Sequence, residues 1–516
     1  MLTVTIMLYI LVFVMYYLGI DCGTQGTKAI ILDSDSGELI ARGYAKHDII
    51  ADDSGRREQD ARWWIEAMTL AVTGALAKSG IDGKEIKAMA VSGQQHGCVM
   101  LDGQGAVIRN VKLWNDTSTA SWNAALIEES GGVAGVWKTL GQPLPVGYTA
   151  SKVRFHAERE KELYSRVKHI LLPHDYINFY LTGNYLTEGS EASGTGYYDV
   201  NARVYSKTMM DRIDPSGILE QAVPPVYSWK RPAGTLRREA AQKLGLSEEC
   251  LVAAGGGDAT MAAAGTAAIM EGCCSAGIGT SGIVSVLSPV MGKNIDPVIQ
   301  IFEVLDDKWL IVSCTMNATS ATTLVQNLFG LSVTDLNDTI NRAPAGSRGV
   351  QVIPFFDGER IPALPSAFGI FRNLTSLNCR QENIFRATVE AATYTMRWGF
   401  DKITASFPAP SRLIVTGGGA NSSAWRQILA DVFNLRVIGP QADEGGALGA
   451  ALQALYLHRY IAGSTVTLQE LCERYVRFDP SKEANPIPKN AEIYRELFAS
   501  YKETIRREWG DGKTEN

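Results

Sequence analysis

Two glycine-rich turns that echo one another, each between short strand-forming runs, constrain this chain more than any other sequence feature. They are residues 19–26 (GIDCGTQG) and 277–282 (GIGTSG). The echo predicts two α/β domains built from one duplicated pattern, each offering a turn large enough to hold a phosphate group. Short glycine turns also resemble one another by chance, so two unrelated hairpins are the alternative.

Size, charge and cysteine content exclude several classes of protein. A chain of 516 residues that is 46% hydrophobic is too long for one core and too apolar for disorder. Its net charge of −6 argues against an electrostatic surface for nucleic acid or anionic lipid. The eight cysteines show no C-x-x-C spacing, which predicts reduced thiols, no zinc site and a cytoplasmic protein.

The first twenty residues are apolar and long enough, taken alone, to cross a bilayer. They lack the basic region and the small-residue cleavage site of a secretory signal. We expect residues 15–20 to form the strand that delivers Asp21 to the first turn, which leaves 14 residues, fewer than the roughly 17 needed to span hydrocarbon. We therefore interpret residues 1–14 as an upstream extension and predict no membrane association.

A change in composition at Leu251 predicts the boundary between the two domains. From there AAGGGD leads into a helix of small residues at 259–270. The sequence predicts an N-terminal domain at 15–250, a C-terminal domain at 251–486, and a charged helix with a tail at 487–516. Further helices are predicted at 63–77, 382–406, 423–432 and 445–457, with strands at 86–92 and 413–416.

The first turn combines a carboxylate with hydroxyls, glycines and a lysine. Asp21 ends a strand, where a carboxylate oxygen is suited to Mg²⁺. A solvated β-turn is the alternative, but it would not need so many polar side chains. The candidate phosphate-binding residues of this turn are Gly23, Thr24, Gln25, Thr27 and Lys28.

The second turn and a later glycine loop suggest the rest of a nucleotide site. Residues 277–282 fit G-x-G-x-x-G, yet a strand follows instead of a helix, which excludes a dinucleotide site and favours a phosphate nest at Gly279, Thr280 and Ser281. A hairpin without a ligand is the alternative. In the loop GGGAN, Gly418, Gly419 and Asn421 precede a helix and suit a nucleobase lying against backbone.

Asp258 follows three glycines and begins a helix. An acid at that position is often only a cap, but a cap does not require three glycines, whereas close approach of a substrate to the backbone does. The position suits a base that accepts a proton from a hydroxyl attacking a phosphoryl group.

Two polar segments of the first domain are candidates for binding a small polyol. His96 lies in GQQHG at a strand end, where substrate contact is favoured over a structural role. Trp114, Asn115 and Asp116 offer an aromatic face with two polar tips, although a core tryptophan followed by a turn fits equally well.

Taken in order, these segments resemble the FGGY carbohydrate kinases from residue 15 to about residue 486. The landmarks are GIDCGTQGT, GQQHG, LWND, ASGTG with YD, GGGD, GTSG, GER and GGGAN with WRQ. The resemblance implies two actin-like, ribonuclease-H-like domains, with ATP in the cleft between them and the sugar deeper in the first domain. It implies ATP and Mg²⁺ as requirements, and a homodimer is compatible with it.

The resemblance also implies roles for individual residues. Asp258 would be the catalytic base, Asp21 would position Mg²⁺ and its water shell, and His96 with Asp258 would hold a ketopentose, D-xylulose, for phosphorylation at its 5-hydroxyl. The two turns would bind the phosphates of MgATP, and the GGGAN loop would border the adenosine.

Departures from the family pattern bear on the sugar and not on the phosphate turns. Gln95 stands where the xylulose-specific members usually have Met, and Thr117-Ser118 stand where Gly-Arg is usual. Phe155 replaces a Trp, and Asn373 replaces a Gly. The alternatives are therefore another ketose, polyol or aldonate, such as ribulose, gluconate or a glycerol-like substrate. An actin- or Hsp70-like ATP-driven binding protein is a further alternative of another class.

Overall fold

The fold is described from a computed structural model, in which residues 15–305 and 307–510 are described. The predicted extension at residues 1–14 and the end of the C-terminal tail lie outside these residues. The structure is a mixed α/β protein with two seven-stranded sheets and a cleft between them.

The first half contains the first sheet, several short strand pairs and eleven helices, counted over its described residues. Its strands are β1 (Tyr16–Cys22), β2 (Gly26–Asp33), β3 (Leu39–Lys46), β4 (Ile50–Ala51), β5 (Arg57–Gln59), β6 (Ile86–Gly93), β7 (Val99–Leu101), β8 (Val111–Lys112), β9 (His169–Leu171), β10 (Thr187–Glu188), β11 (Tyr198–Asp199), β12 (Val204–Tyr205), β13 (Val226–Tyr227), β14 (Gly234–Thr235), β15 (Leu251–Val252) and β16 (Gly256–Gly257). Its helices are α1 (Ala61–Ser79), α2 (Ala120–Glu129), α3 (Gly132–Leu140), α4 (Thr149–Arg159), α5 (Lys161–Tyr164), α6 (Pro173–Thr182), α7 (Gly189–Ser193), α8 (Lys207–Ile213), α9 (Ile218–Ala222), α10 (Arg238–Leu244) and α11 (Asp258–Gly265).

The second half contains the second sheet and the longer helices. Its strands are β17 (Cys273–Ile278), β18 (Gly282–Ser288), β19 (Gln300–Val304), β20 (Lys308–Cys314), β21 (Gln351–Ile353), β22 (Ile370–Arg372), β23 (Arg412–Thr416), β24 (Arg436–Pro440) and β25 (Phe478–Ala484). Its helices are α12 (Thr319–Leu328), α13 (Leu336–Arg342), α14 (Gln381–Thr404), α15 (Ser423–Phe433), α16 (Gly445–Ile461), α17 (Leu468–Tyr475) and α18 (Pro488–Trp509).

The two sheets share one central topology. The first has the order β14-β15-β6-β1-β2-β3, with β16 as a seventh strand that also pairs with β6, and the second has the order β19-β20-β18-β17-β23-β24-β25. In each, the strand before the glycine turn pairs antiparallel with the strand after it and parallel with a later strand, β6 or β23. The predicted fold of two domains with one repeated pattern is confirmed, since both glycine turns occupy the same place in their sheets.

Helices α11 and α16 cross between the sheets at a distance that only glycine permits. A Cβ on Gly265 would lie 1.9 Å from the Gly445 carbonyl oxygen, and one on Gly449 would lie 1.9 Å from that of Met261. On the sheet side of α16, a Cβ on Gly19 would lie 1.9 Å from the carbonyl oxygen of Ala447. Both helices begin beside the cleft, so this packing sets the position of the residues at their N-termini.

Helices from the second half of the chain complete the core of the first half. Helix α16 packs on β1 and β6, and in α17 the Tyr475 hydroxyl donates to the Ser34 carbonyl oxygen at 2.6 Å. The boundary near residue 250 therefore does not separate the two cores, since residues 445–475 belong to the first one by packing. The division at 15–250 and 251–486 remains a prediction.

The predicted elements recur with small shifts in their ends. The helix predicted at 259–270 is shorter, because α11 ends at Gly265 and Ala267 takes a left-handed conformation with φ 60°. Asn373, which stands where the family has glycine, also has a left-handed φ of 59°, a conformation that Asn tolerates better than most residues. Within residues 15–305 and 307–510, no helix is both long and apolar enough to cross a membrane.

Candidate active site

Asp21 lies at the end of β1 and faces the first turn of α16. Its Oδ1 accepts a hydrogen bond from Ser92 Oγ at 2.7 Å, at the end of the neighbouring parallel strand β6. A Cβ on Gly446 would lie 2.7 Å from the Asp21 carboxyl carbon, so only glycine lets the helix come this close. The positive end of the α16 dipole therefore lies next to the carboxylate.

Asp258 is the first residue of α11, and its Oδ1 accepts from the backbone N–H of Ala259 at 2.7 Å. Its loop is held from two sides. The Gln453 side chain, buried in α16, accepts from the Gly255 N–H and donates to the Gly255 carbonyl, both at 2.9 Å. From the first half, Ser190 Oγ accepts from the Gly257 N–H at 3.2 Å.

His174 forms the floor under this loop. Its Nε2 lies 3.0 Å from the Ala254 carbonyl oxygen, which also accepts from Asn178 Nδ2 at 2.7 Å. Cβ atoms on Gly93 and Gly255 would lie 2.7 Å and 2.8 Å from His174 side-chain atoms, so the imidazole fits between two glycines. The buried side chain of His174 therefore sets the spacing between the GQQHG loop (residues 93–97) and the loop that bears Asp258.

The pKa values of both carboxyl groups are raised. Burial raises the pKa of Asp258 to about 7, with a further contribution from the negative charge of Asp21. Burial also raises the pKa of Asp21, while Ser92 and Lys28 act in the opposite direction. A carboxylate that titrates near neutrality is matched to accepting a proton from a hydroxyl group in a reaction at neutral pH.

His96 has a neutral imidazole with one nitrogen left as an acceptor. Its Nδ1 lies 2.8 Å from the Gly194 carbonyl oxygen, so this nitrogen carries the proton and donates, and Nε2 is left as an acceptor. Burial lowers the pKa of His96 to about 3, helped by the charge of Lys152. The ring packs against Tyr148 with centroids 4.5 Å apart. A sugar hydroxyl could therefore donate to Nε2.

Gln95, Trp114 and Asn115 line the same region. Gln95 packs on Gly257, where a Cβ would lie 2.3 Å from its Nε2. Trp114 is 42% exposed, and its Nε1 donates to Thr24 Oγ1 at 3.0 Å, which places an aromatic face near the first phosphate turn. The Oδ1 of Asn115 is buried without a hydrogen-bond partner among the described residues, so it could accept a hydrogen bond from a ligand hydroxyl.

Asp116 differs from the role suggested by the Trp-Asn-Asp pattern. Its side chain is fully buried, and its two oxygens accept from the N–H of Arg57 at 2.8 Å, the N–H of Ser118 at 3.0 Å, and Lys112 Nζ at 3.3 Å. These bonds occupy the carboxylate, so we assign it to holding the loop that carries Trp114. Ser118, one of the departures from the family pattern, is part of this arrangement.

The first glycine turn lies where the sequence analysis expects it, but its side chains do not all face the cleft. Lys28 pairs with Asp21 across β1 and β2 and so shares its face of the sheet. Thr27 pairs with Cys22, faces the core and is fully buried, which removes its side chain from the set of phosphate ligands. Gln25 is exposed at the tip, and the Thr24 hydroxyl donates to Gln94 Oε1 at 3.2 Å. The Gly23 N–H donates to the Gly26 carbonyl oxygen at 3.1 Å and closes the turn.

The second turn and the GGGAN loop lie side by side on the second sheet. Gly279 and Thr280 are exposed at the tip of the β17–β18 hairpin, whose backbone carbonyls accept from the N-terminus of α12. Since β17 and β23 are parallel neighbours, Gly417 follows β23 beside the end of β17, and a Cβ there would lie 2.7 Å from the Ile278 carbonyl oxygen. Gly418 has open space around it.

A cavity of about 320 Å³ joins these parts across the cleft. It is lined from the second sheet by the GGGAN loop, including Gly418 and Asn421, and from the crossing helices by Thr266 and Gly446. Gly446 also contacts Asp21, so the cavity extends from the predicted adenosine loop to the predicted metal residue. The sequence analysis did not single out Thr266 or Gly446.

Several residues that shape the site were not found from sequence. Ser92 has a weak signal, a hydroxyl at the end of a parallel strand. Gln453 and His174 have none, since the partner of each lies 198 or 80 residues away in the chain. Within the described ranges, no three His, Cys, Asp or Glu side chains are grouped closely enough to form a metal site by themselves.

Comparison with protein families matches both halves of the chain. Residues 16–265 match the FGGY family of carbohydrate kinases, N-terminal domain, and residues 277–458 match the C-terminal domain of the same family. The chain is 39% identical over 489 residues to a xylulose kinase of Haemophilus influenzae, covering 94% of this chain and 98% of that protein. It is 30% identical over 485 residues to a xylulose kinase of Escherichia coli, covering 90% and 97%.

Solved structures share the fold over almost the whole chain. A xylulose kinase from Bifidobacterium adolescentis is similar with a TM-score of 0.80 and 28% identity, over 94% of this chain and 99% of that one. A ligand-bound xylulose kinase from Lactobacillus acidophilus has a TM-score of 0.87 at 23% identity over 96% and 98%. A gluconate kinase from the same organism has the same TM-score and identity over 96% and 99%. The fold therefore does not by itself distinguish a ketopentose from an aldonate.

Proposed function

Because the chain belongs to the FGGY family of carbohydrate kinases, and is thus a phosphotransferase that uses ATP to phosphorylate a sugar hydroxyl, we propose that its substrate is D-xylulose and its product D-xylulose 5-phosphate. Relatives named xylulose kinase that are 30% to 39% identical over at least 90% of this chain support this choice of sugar.

The observation that carries the proposed chemistry is the position of Asp258. Its carboxylate begins α11, Gln95 packs on the preceding Gly257, and its pKa is raised to about 7 by burial and by Asp21. In the proposed reaction, ionised Asp258 accepts the proton of the 5-hydroxyl as the oxygen attacks the γ-phosphorus of ATP. His96 Nε2 and Asn115 Oδ1 accept hydrogen bonds from other hydroxyls and orient the sugar.

The two glycine turns bind the phosphates in this proposal. The N–H groups of Gly23 and Gly279 close their own turns by donating to the Gly26 and Ser281 carbonyl oxygens, both at 3.1 Å. In this proposal the backbone at Thr24 on one side and at Thr280 on the other is what meets the phosphates. The amine of Lys28 lies on the same face as Asp21 and adds a positive charge for a phosphate oxygen. Gly418 and Asn421 border the adenosine, where the cavity has open space beside the backbone.

The residues present fit a Mg²⁺ ion that is bound together with ATP. Asp21 and Asp258 are two carboxyl groups with raised pKa values at one end of the cleft, and a divalent cation would relieve their repulsion. Mg²⁺ is commonly held by one or two carboxylates plus phosphate oxygens, which agrees with the lack of a larger cluster in the described residues. When bound there, Mg²⁺ would neutralise charge on the transferred phosphoryl group.

Replacing Asp21 by Asn is expected to raise the half-saturating Mg²⁺ concentration by about tenfold to a hundredfold and to lower kcat, because the carboxylate that orients the ion and its water shell is lost. Sugar KM should stay unchanged. Steady-state kinetics at varied Mg²⁺, with Mn²⁺ binding followed by electron paramagnetic resonance in the presence of ADP, measure both effects. Ser92→Ala is the matched control, since it removes only the hydrogen bond to Asp21 and should give a smaller shift. An unchanged Mg²⁺ requirement in Asp21→Asn would contradict the role.

The choice of sugar is tested by ADP release measured over a panel of D-xylulose, D-ribulose, gluconate and glycerol. We expect kcat/KM for D-xylulose to exceed that for each of the others by about tenfold or more, since a site built to hydrogen-bond particular hydroxyls rejects analogues that lack them. A higher value for another sugar would replace D-xylulose as the substrate. ADP release independent of every sugar would favour the ATP-driven binding protein instead.

An aldonate is the second candidate, for two reasons. A gluconate kinase structure is as similar to this chain as one of the xylulose kinase structures. The amide of Gln95, where xylulose-specific members usually have Met, adds a donor and an acceptor beside Gly257 that could meet a more polar substrate. The same panel separates the two, because gluconate is one of its members.

A further inference from the structure

Lys152 is a buried cation outside the machinery described so far. It lies in the first turns of α4, its side chain is 0% exposed, and it ranks among the largest fully buried side chains of the described residues. Within residues 15–305 and 307–510 its ammonium forms no ion pair with a carboxylate. Burying a charge without a counter-ion costs several kcal/mol in free energy of folding, so its presence calls for a compensating role.

The ammonium of Lys152 donates to two backbone carbonyl oxygens. One is that of His96, at 2.8 Å, and the other is that of Gly147. Thr149, one turn earlier in the same helix, also donates to the His96 carbonyl oxygen, at 3.2 Å. The His96 carbonyl would therefore be satisfied by the threonine alone, and the buried ammonium adds a second and stronger hold on the same atom.

His96 needs such a hold because its backbone is strained. Its φ of 66° lies in the left-handed region, which costs a residue with a side chain about 1 kcal/mol or more. The ring is fixed by Nδ1 on the Gly194 carbonyl oxygen and by packing on Tyr148. The backbone is fixed from the opposite side by α4, and the two together decide where Nε2 points.

We propose that Lys152 is the positioning residue of the sugar subsite: its ammonium holds the left-handed backbone of His96, so that Nε2 meets the hydroxyls of the sugar. The inference rests on the proposed function, because it concerns how the sugar is bound. Sugar affinity then depends on the protonation state of Lys152, although its ammonium does not contact the sugar.

The charge on Lys152 depends on pH near neutrality. Burial lowers the pKa of Lys152 to about 7, Lys112 lowers it further, and Asp116 and Cys98 act in the opposite direction. Cys98 stays a neutral thiol because burial raises its own pKa to about 12. His96, whose carbonyl the ammonium holds, stays neutral above about pH 3, and burial raises the pKa of the nearby Tyr148 so that it also stays neutral. As pH rises through about 7, a charge-assisted hydrogen bond becomes a neutral one, which is roughly half as strong.

Two effects of opposite sign then follow from one rise in pH. Asp258 loses its proton and becomes a competent base, which raises turnover. Lys152 loses its charge and loosens His96, which raises the sugar KM. The first effect shows in kcat and the second in KM for the sugar, so the two can be measured separately.

The test is the sugar KM at pH 6 and pH 9 at saturating ATP, with whichever sugar of the panel is turned over fastest. Wild type should show a KM about fivefold higher at pH 9, from the loss of about half the strength of one charge-assisted bond. Lys152→Met cannot form either hydrogen bond, so its sugar KM should be at least as high as that of wild type at pH 9 and should not change between the two pH values. Calorimetric sugar binding without ATP should follow the same pattern, and KM for ATP should not change.

Two further variants test the proposal even if Lys152→Met folds poorly. Lys152→Arg keeps its charge at every pH and should show a KM that does not rise between pH 6 and pH 9. Lys112→Met is the matched control: Lys112 is also buried, but it has ion pairs with Glu58 and Asp116, each at 3.3 Å. Its loss should lower thermal stability and keep a rise of sugar KM with pH, displaced to higher pH because the charge of Lys112 no longer lowers the pKa of Lys152.

Three results would overturn the proposal: a wild-type sugar KM that is the same at pH 6 and pH 9, a Lys152→Met variant with the pH effect of wild type, or a Lys152→Arg variant that retains the rise. Absence of phosphorylation of every sugar in the panel would instead refute the proposed function. The two failures are thereby distinguishable.

Discussion

Replacing Asp258 by Asn is expected to lower kcat by about a hundredfold to ten thousandfold, the usual contribution of a positioned base, while ATP and sugar still bind. The amide has nearly the same shape as the carboxyl group and keeps an oxygen for the Ala259 N–H, but it cannot accept the hydroxyl proton. Steady-state kinetics give kcat, and calorimetry gives the two binding constants. Asp35→Asn, an exposed change in the first domain, is the control and should leave kcat as it is.

The pH dependence of turnover is a second test of the role of Asp258. Since the pKa of Asp258 is raised to about 7, kcat of wild type should rise with pH up to about 7 and then level off. The residual activity of Asp258→Asn should lack that rise. Near-normal turnover in the variant, or a rise of kcat centred near pH 4 in wild type, would remove Asp258 from the role of base.

The Asp258→Asn substitution should raise the thermal stability of the protein although it lowers kcat. A carboxyl group whose pKa is raised in the folded state favours folding while protonated, and that contribution is lost as pH rises from its ordinary value of 3.8 through about 7. Asp258→Asn removes the charge, so its melting temperature should exceed that of wild type at pH 8. The difference should shrink towards pH 5. A lower melting temperature at pH 8 would contradict the raised pKa.

Replacing Gly265 by Ala should destabilise the protein by about 3 kcal/mol and lower kcat at the same time. The added Cβ would lie 1.9 Å from the Gly445 carbonyl oxygen and 2.6 Å from the Gly449 nitrogen, so the contact is with backbone and α11 and α16 must separate. Asp258 begins α11, and Gly446 in the first turn of α16 touches Asp21, so the separation moves both carboxylates. Denaturant unfolding and kinetics measure the two effects.

Gly74→Ala is the matched control for that substitution. Gly74 lies within α1, and a Cβ there would meet nothing within 4 Å. Alanine at an open helical position should be neutral or stabilise by up to about 1 kcal/mol, with kcat unchanged. Equal losses of stability in Gly265→Ala and Gly74→Ala would show that the helix crossing tolerates a side chain, against the packing described above.

The glycine turns made much of the fold predictable. Because each turn lies between runs of strand-forming residues, the sequence indicated strands at 16–20 and 86–92, and the structure has them as Tyr16–Cys22 and Ile86–Gly93. The charged C-terminal helix with its tail was predicted at 487–516, and the helix begins at Pro488. β25 was not predicted, because Phe478–Ala484 is largely polar and gains its partners only by pairing with β24.

The site was predictable where a motif carries its own chemistry and not where a distant residue supplies it. Asp21, His96 and Asp258 lie next to glycines or at strand ends, and these positions made them recognisable in the sequence as candidate site residues. Asp116 has the same outward signs, but its burial depends on Arg57 and Lys112, which no local pattern connects to it. The hold of Lys152 on His96 joins residues 56 apart in the chain, so only the folded structure reveals it.

The return of α16 and α17 to the first sheet has a consequence for biosynthesis. When a ribosome has released the chain only as far as residue 265, the face of β1 at Gly19 lacks Ala447 and Ala451, against which it packs in the finished protein. That apolar face stays uncovered while about a further 180 residues are made, an interval of tens of seconds at the slower rates of translation. The core of the first half therefore closes only after the second half has been delivered, and until then its uncovered apolar face is open to non-native contacts.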